Sequence, residues 1–160
     1  MSSLIEKSFL NLQRVEGLSG WMAQWTESEG FQIFSGEEAN LPATSSGSDC
    51  SVIFEGFLHN RKEVIAGLGD PILKPSNDAD IVRFAFSRWH DDLVYRLRGV
   101  FSIAIWDKRT NALWYVRDHC GIYPSFYATS GSHIIFSTSI ADIVRHPKVS
   151  STLNRSATAF

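Results

Sequence analysis

The sequence predicts an α+β fold in which antiparallel sheets and helices occupy separate regions. Three observations lead there. Strand-like segments fall into two groups with two helical segments between them and one after, so regular βαβ alternation is excluded. The stretches KRTN and Ser-Gly-Ser each join two strand-like runs across a short turn, as antiparallel hairpins require. The chain has 160 residues, 44% of them hydrophobic, enough for one good core and one domain.

The first fifty residues carry the weakest pattern. Residues 8–14 (SFLNLQR) alternate as a strand does, and 31–34 (FQIF) make another. Between them GLSGWMAQWTESEG holds two tryptophans in a glycine-bounded segment, read as a further strand. Residues 41–49 (LPATSSGSD) read as a loop by composition. A strand over 51–57 follows, and then NRKEVIAGLG, a short helix with Asn60 at its start and glycines at its end.

Asn77-Asp78-Ala79-Asp80 opens the clearest helix. Asn77 can cap it, and Asp78 and Asp80 sit in the first turn, where the helix dipole favours anions. Ile81, Val82, Phe84, Ala85, Phe86 and Trp89 give it a wide apolar face. Residues 92–98 extend the helical region, with Gly99 expected to stop it. Residues 100–106 and 112–117 form one hairpin, and 123–129 and 133–138 a second. A short helix in SIADIVRHP ends before Pro147.

Charge and composition narrow the function classes. Fifteen basic against seventeen acidic residues, with a pI near 6.2, give no electrostatic reason to expect nucleic acid or an anionic membrane surface as a partner. No apolar run approaches the roughly 20 residues that span a bilayer. The start MSSLIEKSFLNLQ lacks the basic region and apolar core of a signal peptide. Two cysteines, Cys50 and Cys120, are too few for a disulfide framework, so a reduced, cytoplasmic protein is expected. The five histidines form no ligand pattern with them, and no metal site is expected.

One strand end poses a chemical question. In VIFEGFLHN, residues 52–60, an apolar run meets the carboxylate of Glu55 and then Gly56. Such a junction is either a solvated turn or a site.

Residues 77–147 resemble the N-terminal glutaminase domain of asparagine synthetases, which are class II (N-terminal nucleophile) glutamine amidotransferases. The carriers are NDADIVRFAFSRW, LRGVFSIAIWDKRTNALWYVRDHCGIYPSFYA and HIIFSTSIADIVRHPKV. They are similar to the family's SDxEV helix, LxGxFAFAxWD, RDxxGxxPLYY and FASExKALLxHPxV. VIFEGFLHNRKEV extends the likeness upstream, as a counterpart of FNGEIYNxxEL. The resemblance covers roughly residues 51–155, and the alignment of residues 1–50 with it is left open. It implies a four-layer αββα sandwich of antiparallel sheets of the N-terminal nucleophile hydrolase type. It also implies a mechanism: an N-terminal Cys attacks the glutamine amide with its own α-amine as base, and a thioester forms as ammonia leaves. An Asn-Gly pair supplies oxyanion-hole donors, an Arg holds the substrate carboxylate and an Asp its amine.

Against that family pattern, the chain departs at the catalytic positions. Residues 1–3 are Met-Ser-Ser where the family has Met-Cys-Gly. Ser2 is the one alternative nucleophile, but it lacks the glycine-rich start of the family; Cys50 and Cys120 are mid-chain without a free α-amine. Glu55 stands where the family has its oxyanion-hole Asn. An ionised carboxylate donates nothing to an oxyanion, and losing one such donor typically lowers the rate ~100–1,000-fold. The carboxylate-binding Arg has no visible counterpart. Gly56 and Asp78 match glutamine-pocket positions, as a vestigial pocket; with the nucleophile gone, Asp78 is read first as a structural anion in the first helical turn. Arg117-Asp118 matches a structural turn. His119 and Cys120, adjacent on the chain, point apart and make no thiol–imidazole pair.

No catalytic residue is therefore expected. The resemblance implies a glutaminase-like domain over residues 1–150, without glutamine hydrolysis of its own, serving as a platform. Residues 151–160 resemble the start of an interdomain segment leading to a synthetase domain in cis, where ATP and Mg would act. Known relatives with a dead glutaminase half are β-lactam synthetases and lasso-peptide macrolactam cyclases. Two alternatives stand beside this reading: an active amidotransferase domain using Ser2, and a free-standing module that binds a ligand or protein in the old pocket.

Overall fold

Alternation along one long strand sets the layering. In β5 (Cys50–Leu58), successive side chains face opposite sides of the sheet. Cys50, Val52, Phe54 and Leu58 join a core shared with α1 (Arg61–Leu68) and α2 (Asp78–Trp89). Ile53, on the other face, joins a second core with Trp21, Phe31 and Phe136. Burial of each such large side chain stabilises by about 1.5–3 kcal/mol. One sheet is thus sandwiched between helices and a second sheet.

The computed structural model describes residues 10–16, 18, 20–37, 40–70, 72–150 and 152. Ser2, Ser8, Phe9 and all of the 151–160 segment except Thr152 lie outside the described residues. The helix-covered sheet has the order β4 (Ala43–Ser46), β5, β6 (Gly99–Asp107) and β7 (Ala112–Arg117), all antiparallel. The facing sheet runs β1 (Leu10–Arg14), β3 (Gly30–Ser35), β2 (Trp21–Thr26), β9 (His133–Ser137) and β8 (Phe126–Ser130). The short helix α4 (Ile140–Arg145) packs on β9, β8 and β2. Between α2 and β6 lie a 3₁₀ turn (His90–Asp92) and the single-turn α3 (Leu93–Arg96). Aromatic edges interlock between the sheets, with Phe31 against Trp106 at 6.5 Å and against Phe136 at 5.8 Å.

The expected α+β sandwich with segregated helices is present, and five local expectations are corrected. The sheets are not wholly antiparallel, because β1 pairs with β3 in parallel. β1 and β2 flank β3 from both sides, and beyond the end of β3 the Gly36 amide donates to the Gly20 carbonyl at 2.9 Å. Residues 43–46 form a strand rather than loop. The Ser45 hydroxyl donates to Asp80 at 2.6 Å and accepts from Arg83 Nε at 2.8 Å, tying this polar strand to α2. Asn60 does stand at the start of α1, but its side chain bonds Arg96 and Arg98 of the next connection instead of capping the helix. Gly99 does not cap a helix. It opens β6, where a Cβ would lie 2.3 Å from the Phe57 carbonyl oxygen. Finally, β8 begins at Phe126 rather than 123, for a reason that belongs to the site.

Candidate functional site

The cleft beside β5 gathers residues from five parts of the chain. It has a volume of about 510 Å³ and is lined by Phe54, Glu55 and Gly56 of β5, Leu41, Pro42 and Ala43 beside β4, Arg61 of α1, Asn77 and Asp78 at the start of α2, and Tyr123. The expected pocket residues Gly56 and Asp78 are thus brought together, with Glu55 between β5 and the facing sheet.

Gly56 is fixed by backbone geometry. Its φ is +111°, and a Cβ there would stand 2.1 Å from the Val100 carbonyl oxygen on β6. Only glycine tolerates both conditions. This conformation sits inside the β5–β6 ladder, just past the point where the pairing with β4 ends at Phe54, and next to Glu55 at the cleft wall.

Glu55 faces the second sheet. Its Oε2 accepts a 2.6 Å hydrogen bond from Trp21 Nε1, at the start of β2. The Tyr123 hydroxyl donates to the same carboxylate. Burial, the Glu55 charge and that hydrogen bond together push the Tyr123 phenol up to about 12, so it remains a proton donor at neutral pH. Among the described residues no cation pairs with Glu55. The strand end is therefore neither a bare turn nor a hydrogen-bond donor site; it is an anchored carboxylate.

Tyr123 is positioned by the turn that follows β7. Asp118 Oδ1 accepts from the Cys120 and Ile122 amides at 3.1 and 3.0 Å, and Oδ2 from the Tyr123 amide at 2.9 Å. Burial works to raise the Asp118 carboxyl, but these backbone donors outweigh it and hold it below the ordinary carboxylate range. Arg117 Nε donates to the Tyr123 carbonyl at 2.9 Å, and its Nη2 to the Gly121 carbonyl at 2.5 Å. Carbonyls and amides of 120–123 are committed to this turn, so they are withheld from the sheet and β8 starts late.

At the opposite wall Asn77 caps α2, its Oδ1 accepting from the Asp80 amide at 2.9 Å. Asp78 then reaches back across the cleft floor. Its Oδ2 accepts from the Leu58 amide at 3.2 Å, and its Oδ1 takes a 2.6 Å ion pair from Arg61 Nη1. Asp78 thus works both as a first-turn anion and as the link between α2, β5 and α1.

Sequence reasoning found no arginine here, yet Arg61 lines the cleft. A signal existed: a basic residue in the first turn of α1 opposes the helix dipole and so asks for a carboxylate partner. Trp21 and Tyr123 were also missed, and no local signal marks them, since each meets Glu55 only through the sandwich. The two thiols lie elsewhere. Cys50 is buried, and burial together with the Asp49 charge pushes its thiol up to about 12; Cys120 is exposed on the Asp118 turn. Neither touches the cleft. Among the described residues no three His, Cys, Asp or Glu side chains converge as a metal centre, and no helix is long and apolar enough to cross a membrane.

Comparison with known proteins places this geometry. Residues 32–159 match a family model described as a glutamine amidotransferase domain. The chain is 32% identical over 119 residues to glutamine-hydrolyzing asparagine synthetase 3 of Bacillus subtilis, covering 72% of this chain and 19% of that protein. It is 32% identical over 106 residues to asparagine synthetase 2 of the same organism, covering 66% of this chain and 14% of that protein. A putative glutamine-hydrolyzing asparagine synthetase of Mycobacterium tuberculosis matches at 31% over 81 residues, or 49% of this chain and 12% of that one. The chain thus spans less than a fifth of the length of these relatives. Among solved structures, glutamine phosphoribosylpyrophosphate amidotransferase of B. subtilis superposes with a TM-score of 0.53 at 12% identity, over 74% of this chain and 35% of that one. That likeness concerns the fold.

Proposed function

This chain belongs to the glutamine amidotransferase domain family of the asparagine synthetases, and from that premise we propose that it is a glutaminase-like domain that no longer hydrolyses glutamine. Its role is architectural: a platform for a synthetase domain in cis, where ATP and Mg drive amide formation. The compartment fitting two unpaired thiols is the reducing cytoplasm.

The observation that carries this reading is Glu55. The family resemblance puts an oxyanion-hole donor at this position, next to Gly56. Here the side chain is an acceptor, held in place by Trp21 Nε1–H at 2.6 Å and the Tyr123 hydroxyl. A negative charge developing nearby meets another negative charge where it needs an N–H. The Arg61–Asp78 ion pair supports the same reading, because each group already has a partner inside the old pocket. An arginine committed to Asp78 is less available to a substrate carboxylate, and the converse holds for a substrate amine.

A nitrogen supply that does not depend on this cleft follows. In the full-length protein carrying this domain, ATP turnover with its carboxylate substrate is expected to be unchanged by added L-glutamine. Glutamine-stimulated turnover would overturn the proposal.

A further inference from the structure

The Glu55 cleft carries more than the loss of an activity, because its charges do not balance. Its wall holds two carboxylates and one guanidinium. Arg61 and Asp78 neutralise each other at 2.6 Å. Among the described residues Glu55 is held only by neutral donors, the Trp21 indole N–H and the Tyr123 hydroxyl. Both bonds fix the carboxylate without cancelling its charge. A carboxylate has about four lone-pair sites, and two are used here. The remainder belong to a group that faces a cleft of about 510 Å³.

We infer that this cleft is a binding site for a small organic cation bearing a primary ammonium group. The ammonium sits against Glu55, and the apolar part of the ligand lies on Leu41 and Pro42, which line the same cleft. The pocket's polarity is thereby inverted: a place built around a developing anion has become a place for a cation. Anchoring by Trp21 and Tyr123 matters because a carboxylate already fixed in one rotamer loses little side-chain freedom when a ligand arrives. The Tyr123 phenol stays protonated, so it reinforces Glu55 as an acceptor and adds no second anion. This inference rests on the reading of the cleft as the former glutamine pocket.

The test compares two probes of one shape, benzylammonium and benzyl alcohol, on the 160-residue chain. Intrinsic tryptophan fluorescence, to which Trp21 contributes beside the four other tryptophans, and thermal denaturation give two readouts. Benzylammonium is expected to bind roughly 10–100-fold more tightly than benzyl alcohol, as hydrogen bonds to a charged group imply. Its affinity is expected to fall with added salt, and Glu55→Gln is expected to remove the preference while keeping the fold. Equal binding of the two probes by the unaltered chain would overturn the inference, with no variant needed. So would failure of benzylammonium to bind at tens of millimolar, or an unchanged preference in Glu55→Gln. Ammonia release from L-glutamine, read in the same samples, reports separately on the loss of hydrolysis. Release with cation binding refutes only the platform reading, and no release without cation binding refutes only this inference.

Discussion

Two carboxylates in this molecule, Asp118 after β7 and Glu55 within β5, meet through Tyr123 and have opposite fates. Asp118 is buried, and three backbone amides occupy its two oxygens. Three of its roughly four lone-pair sites are taken by the backbone, and the carboxylate is shielded from solvent. Glu55 is half-buried, held by two side chains from distant elements, and it lines an open cleft. The difference teaches where to look for chemistry: a carboxylate saturated by its own backbone builds structure, and one anchored but unsaturated beside a cleft builds a site. Tyr123 joins the two, its backbone amide bound by Asp118 and its hydroxyl bonded to Glu55.

The contrast can be broken at several points. The largest effect is expected at the strand end itself. Gly56→Ala combines a left-handed φ with a clash against the Val100 carbonyl, and should lower stability by about 4 kcal/mol in urea denaturation. Asp118→Ala leaves three backbone amides without their acceptor and should lower stability by about 3 kcal/mol. It should also disturb Tyr123, read as a change in its phenol titration.

The Asp118 contribution has a definite pH signature. Its folded carboxyl lies below the ordinary aspartate value. Its stabilisation is therefore fully present above about pH 4, the unfolded value, and is lost as the pH falls through the lower folded value. Stability measured between pH 5 and pH 2 should fall less steeply in Asp118→Asn than in the unaltered chain; identical slopes would remove Asp118 from the account.

Smaller effects are expected in the cleft. Arg61→Ala removes an ion pair whose arginine is 42% exposed, and should lower stability by about 1 kcal/mol or less. A double-mutant cycle with Asp78→Ala isolates the pair, and a null coupling energy would show that the two groups act independently. The smallest stability change, under about 0.5 kcal/mol, is expected for Glu55→Gln. That variant should nonetheless bring the Tyr123 phenol down from about 12, because the Glu55 charge and hydrogen bond both help to raise it. Absorbance titration of tyrosinate reads this shift.

Legibility in the sequence tracks how local each determinant is. The hairpins, the Asn77 cap and α2 follow from turn chemistry and helical periodicity within a few residues. The polar strand β4 was missed because ATSS has no apolar alternation; it is a strand through its pairing with β5 and the bonds from Ser45 to α2. The parallel pairing of β1 with β3 depends on a crossing connection, which no window of residues encodes. In the site, Gly56 and Asp78 were legible as motif positions, and Glu55 as an odd charge at a strand end. Its anchoring was not, since Trp21 lies 34 positions away and Tyr123 further still. The same holds for the Arg61–Asp78 pair, 17 positions apart.

The most direct measurement is ammonia release from L-glutamine by the purified chain, with Ser2→Ala alongside. The expected result is release no faster than in protein-free buffer for both proteins. Release that is glutamine-dependent in the unaltered chain and abolished by Ser2→Ala would mean that the anchored carboxylate at position 55 does not silence the site, and the account would fail at its centre.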